Sequence, residues 1–109
     1  MRQYKAQFFQ ALAHPNRIHL LELLRDGGPQ TVGELQARMS IEGSGISQQL
    51  AVLRKQNIVF GRKEGTSVIY DVTDHLVFDV LDVSRKMFEN QLTELQSAVL
   101  QEASDQGAK

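Results

Sequence analysis

The sequence predicts a mainly helical fold carrying one small β-hairpin, in the order α-α-α-α-β-β-α. Three observations predict it. Apolar residues recur at helical spacing over residues 2–56, interrupted at Pro15, at Asp26-Gly27-Gly28-Pro29 and at residues 40–43. The period then becomes that of strands over IVFGRK and SVIYDV, on either side of EGT. From residue 74 to about residue 104 one helical pattern runs without glycine or proline. At 109 residues a single domain is the economical reading. It takes in residues 1–104, with helices over 1–13 and 74–104 serving dimerisation, and leaves 105–109 as a frayed tail.

The first helix, 2–13, has Tyr4, Phe8, Phe9 and Leu12 at helical spacing and stops before Pro15. The second begins near Asn16, and Ile18, Leu20, Leu21, Leu23 and Leu24 make it apolar almost all round, so it belongs at the centre. Thr31-x-x-Glu34 is a capping box that starts the third helix, whose inner face is Val32, Leu35 and Met39. After the turn at 40–43, Ser44 or a neighbour caps a fourth helix running to about Gln56. Asn57 follows, where the chain needs the left-handed conformation that asparagine tolerates. Val68, Ile69, Tyr70 and Val72 supply the strand-forming residues of the hairpin.

The terminal pattern has Val77, Leu81, Ser84, Phe88, Leu92, Leu95 and Val99 at i+3/i+4 steps. Thirty-one residues extend about 46 Å, whereas a domain of about 100 residues has a radius of gyration near 13 Å. A second copy is expected to cover that stripe. Tyr4 and Phe8 of the first helix join Leu81, Phe88, Leu92 and Leu95 in a two-fold homodimer interface. The alternative is a helix folded back over its own domain or broken near Glu89-Asn90.

Composition narrows the functional classes. Cysteine is absent, which excludes disulfides, thiolate metal sites and cysteine nucleophiles. No apolar run approaches the roughly 20 residues needed to span a bilayer, and MRQYKAQFF lacks the apolar core of a signal peptide, so a cytoplasmic protein without membrane contact is expected. The net charge of -1 hides an uneven distribution. Residues 1–43 carry five basic and four acidic side chains, 44–70 carry four basic and one acidic, and 71–109 carry three basic and eight acidic. A basic middle and an acidic end point to a local anionic partner.

Two short helices joined by a turn and followed by a hairpin with basic flanks make a helix-turn-helix with a wing. On the fourth helix Ile46, Leu50 and Leu53 form the buried stripe, while Ser44, Gln48, Ala51 and Lys55 lie opposite and Ser47 and Gln49 flank them. Ser44, Ser47, Gln48 and Gln49 are suited to read bases, since an amide can pair with adenine and a hydroxyl with bases or phosphates. Thr31, Arg54, Lys55, Arg62, Lys63 and Thr66 are suited to the DNA backbone, the last three from the wing.

ALAHPNRIHLLELL, TVGELQARM and ISQQLAVLRKQNIVFGRKEGTSVIYDV closely resemble the ArsR family of bacterial winged-helix transcriptional regulators, and the resemblance covers almost the whole chain. It implies a homodimeric repressor that binds double-stranded DNA at a palindromic operator and leaves it on a signal. Gln36 and Arg38 stand where many metal-sensing members carry a cysteine pair. Gln49 stands where histidine is frequent, and Asn57 where glycine is usual.

No cofactor is expected. His75, Asp79 and Asp82, at i, i+4 and i+7, are a weak metal-site candidate across a dimer, set against the reading that they line a wet helix face. His14 and His19 read as capping, packing or solvent-facing groups. There is no phosphate loop and no nucleophile with an oriented base, so an enzyme is not expected. The alternative to DNA binding is a winged-helix module whose basic hairpin docks an acidic protein. Nothing in the sequence specifies an inducer.

Overall fold

The computed structural model describes residues 1–107. It contains α1 (Arg2–Leu12), α2 (Pro15–Gly27), β1 (Gln30–Thr31), α3 (Val32–Gln36), α4 (Gly43–Lys55), β2 (Val59–Glu64), β3 (Ser67–Val72) and α5 (Leu76–Gly107). The chain divides into two compact units, residues 1–78 and residue 79 onward.

The first unit is built around α2. Leu20, Leu21 and Leu24 of α2, Leu35 of α3, Ile46, Leu50 and Leu53 of α4, and Val59 of β2 are fully buried. Burying a side chain of this size stabilises the fold by about 1.5–3 kcal/mol. Pro15 occupies the first turn of α2, and the Nδ1 of His14 accepts from the Asn16 amide at 3.1 Å, so His14 is a cap. Gly28, at φ 71°, ends the helix, its amide donating to the Leu24 carbonyl.

The capping box at α3 forms as the sequence requires. The Glu34 amide donates to Thr31 Oγ1 at 3.2 Å, and the Thr31 amide donates to Glu34 Oε1 at 3.3 Å. Leu35 and Met39 turn inward. Ser44 does not cap α4. Glu42 occupies the cap position, with no side-chain hydrogen bond, because the helix begins at Gly43, two residues before a Ser44 cap would start it. Asn57 leaves α4 at φ 57°, and the Ile58 amide returns to the Leu53 carbonyl at 3.0 Å, the long hydrogen bond of a left-handed helix stop.

The sheet has one strand more than the sequence predicts. The order is β1-β3-β2, all antiparallel, with Gln30 opposite Tyr70 and Thr31 opposite Ile69. Two residues carry no alternation to detect; β1 exists because α2 delivers them to the free edge of β3. Gln30 is buried there, and its Nε2 donates to the carbonyls of Leu23 at 2.8 Å and Gly28 at 3.1 Å. β2 and β3 pair from Val59 opposite Val72 to Glu64 opposite Ser67, and Gly65, at φ 62°, makes the tight turn.

α5 begins at Leu76, two residues after the predicted start. Asp74 Oδ1 accepts from the Leu76 amide at 2.9 Å, so Asp74 serves the helix start from outside it. The 32-residue helix runs unbroken through Glu89-Asn90. Ser84 and Thr93 return their hydroxyls to the carbonyls of Val80 and Glu89, so neither interrupts it. The expected frayed tail is helical through Gly107, and residues 108–109 lie outside the described residues. Beyond residue 86, Met87, Phe88, Leu92, Leu95, Val99 and Leu100 are all exposed. No helix among the described residues is long and apolar enough to cross a membrane.

Candidate nucleic-acid interface

Packing on α2 and α3 decides which face of α4 is open. With Ile46, Leu50 and Leu53 sealed inward, Ser44, Ser47, Gln48, Ala51, Arg54 and Lys55 are exposed. At 100° per residue, Ser44, Gln48, Ala51, Val52 and Lys55 lie within about 60° of Gln48, and Ser47 and Arg54 form one flank. The open face is uncharged along most of its length and basic at the C-terminal end, where cations also complement the helix dipole. Val52 is 39% exposed on this face, and sequence reasoning assigned it nothing. An exposed valine there can meet a thymine methyl.

The opposite flank differs. Gln49 is half-buried, and its Oε1 accepts from Nη1 of Arg17 at 2.8 Å. The structure thus turns a residue expected among the base readers toward α2. Arg17 itself escaped sequence reasoning. The signal available was a lone cation in the first turn of α2, where the helix dipole disfavours it. Thr31, expected at the backbone, has its hydroxyl engaged twice in the capping box: it accepts from the Glu34 amide and donates to Glu34 Oε1 at 3.1 Å.

On the wing, Arg62, Lys63 and Thr66 are exposed. Strand alternation sends Arg62 and Glu64 to one face of β2 and Lys63 to the other. Arg62 Nη2 lies 3.4 Å from Glu64 Oε2, so an acid accompanies one of the two expected cations. Lys63 has no ion-pair partner among the described residues and is the less encumbered charge.

Within one copy the weak metal candidate of His75, Asp79 and Asp82, expected across a dimer, is not gathered into a site. Among the described residues no group of three His, Asp or Glu side chains is gathered as a metal would require. His75 precedes the first residue of α5, and its carbonyl accepts from the Phe78 amide at 3.0 Å. Its ring meets Phe78 edge-on, with centroids 5.4 Å apart.

A short helix, a turn, a second helix with an open polar face and a basic antiparallel wing define a winged helix-turn-helix protein of the DNA-binding class. A family model described as a helix-turn-helix domain matches residues 12–59. The uncharacterized HTH-type transcriptional regulator Rv0081 of Mycobacterium tuberculosis is 41% identical over 91 residues, covering 83% of this chain and 79% of the relative. Its crystal structure superposes with a TM-score of 0.77 over 85% of this chain and 93% of that one. The transcriptional repressor BigR from Xylella fastidiosa is 30% identical, with a TM-score of 0.71 over 80% of this chain and 88% of that one. A homodimeric winged helix-turn-helix DNA-binding domain from Mycobacterium bovis, 23% identical, shares the fold with a TM-score of 0.74 over 83% of this chain and 82% of that one. The chain belongs to the ArsR family of winged-helix transcriptional regulators. It is a regulator of transcription and not an enzyme.

Proposed function

We propose that the chain acts in the cytoplasm as a homodimeric repressor, placing one α4 from each copy in successive major grooves of a palindromic operator, about 34 Å apart. The observation that carries this reading is the open face of α4: hydroxyl and amide groups at Ser44, Ser47 and Gln48, then Arg54 and Lys55 where the helix ends. Ser44, Ser47 and Gln48 read bases. Arg54, Lys55, Lys63, Arg62 and Thr66 hold the backbone. Gln49 supports the reading face from its flank, and Thr31 holds the start of α3. A second copy covers the exposed stripe of Phe88, Leu92 and Leu95 together with Leu81, Tyr4 and Phe8, as the homodimeric relative and the apolar area of α5 both favour.

Selection of bound duplexes from a random pool, followed by titration of the selected site at several salt concentrations, tests this. With Arg54, Lys55 and Lys63 from both copies the log-log slope is about -5, and about -7 if Arg62 escapes Glu64. Equal affinity for selected and scrambled duplex would defeat the reading and favour an acidic protein as the wing's partner. Repression, as against activation, is expected to appear as a reporter that rises when the regulator is removed.

A further inference from the structure

Arg17 stands in the first turn of α2, yet its guanidinium serves other elements. Nε donates to the Ala11 carbonyl at 2.6 Å, Nη2 to the Gln10 carbonyl at 3.4 Å, and Nη1 to Gln49 Oε1 at 2.8 Å. The two carbonyls end α1, where the helix dipole welcomes a cation. Arginine only donates, so Gln49 must present its oxygen, and the orientation of its amide is fixed chemically. One rigid, planar fork therefore joins the end of α1, the start of α2 and the middle of α4.

The buried apolar surface of α1 is concentrated at its C-terminal end. Ala11 and Leu12 are the buried residues of α1, while Tyr4 and Phe9 are more than half exposed. A cleft of about 360 Å³, lined by Gln7, Gln10, Ala11, Val52, Lys55 and Gln56, opens between the two helices. Beside that cleft the Arg17 fork adds a directional polar tie between the two helices. Bidentate recognition of adenine needs both the oxygen and the nitrogen of an amide. The oxygen of Gln49 faces Arg17, whereas Gln48 is exposed.

From this geometry we infer that Arg17 is a positioning residue for DNA recognition: it ties α4 to α1, and Gln49 sets the reading face through Arg17 instead of reading a base. The inference deepens the proposed role of α4 and rests on it.

The test compares the full-length protein with Arg17→Ala, Gln49→Ala, the double variant, Gln49→Glu and Gln48→Ala. Anisotropy measures affinity for the selected and a scrambled duplex, and circular dichroism follows melting. Arg17→Ala and Gln49→Ala should each lower the selected-to-scrambled ratio about tenfold, and the double variant no further, since both remove one coupled pair. The salt slope should not change, because no phosphate contact is lost. Gln49→Glu keeps an acceptor for Arg17 and should preserve the ratio while its charge lowers both affinities.

An additive loss of about a hundredfold in the double variant overturns the tie. So does a loss in Gln49→Ala confined to one base pair with Arg17→Ala unaffected, or a lowered melting point with an unchanged ratio. If Arg17→Ala does not fold, Arg17→Lys, which keeps the charge without the fork, carries the same expectations. Gln48→Ala separates the levels. A flattened preference there with Arg17→Ala unaltered sinks the tie alone; a preference untouched by Gln48→Ala sinks the reading of the α4 face, and the tie with it.

Discussion

Neighbouring glutamines on α4 have different fates, because one helical step of 100° separates an open face from a packed flank. Gln48 keeps both halves of its amide for a base edge, so Gln48→Ala should cost about 1–3 kcal/mol of discrimination at one position of the operator, measured by competition with single-base variants. Lys63→Ala should weaken all duplexes alike and reduce the salt slope by about 2 for a dimer. If these two outcomes were exchanged, the assignment of base and backbone roles would be wrong. Thr31 acts on stability: Thr31→Ala removes a reciprocal cap and should cost about 1 kcal/mol in urea unfolding without altering base preference.

Among the elements, the helices were legible because their apolar spacing and caps are local. Thr31-x-x-Glu34, Pro15 and Asn57 each act within a few residues of themselves. At φ 57°, Asn57 marks a conformation that β-branched residues resist. Asn57→Val should therefore lower stability by at least about 1 kcal/mol, whereas Asn57→Gly should not, as thermal or urea denaturation would show. β1 was not legible, since two residues acquire strand geometry only from the edge of β3. The cap of α4, which the sequence leaves between Ser44 and its neighbours, is settled for a related reason: the turn after α3 puts Glu42 in that position.

For the whole molecule, the decisive feature is apolar area left open. Phe88, Leu92 and Leu95 are 63%, 58% and 63% exposed on a helix whose spacing suits a facing partner. The paired substitutions Leu92→Lys and Leu95→Lys should shift sedimentation toward monomer. They should also weaken operator binding by several orders of magnitude, because two linked half-sites become two separate encounters. Retained dimerisation in that variant would place the interface elsewhere. The first unit, with its own buried core, should keep its secondary structure, so a loss of DNA binding would not be mistaken for unfolding.

The sequence by itself determined the helices, the hairpin, the buried stripe of α4 and the polar character of its outer face, all set by periodicity and neighbouring side chains. It also carried the family resemblance. Only the tertiary structure decided that Gln49 turns toward Arg17 and that Gln30 and Thr31 pair with β3 as a third strand. Spacing says which side of an element a residue occupies. Which group waits there depends on how elements far apart in the chain pack, as Arg17 and Gln49 do across 32 positions.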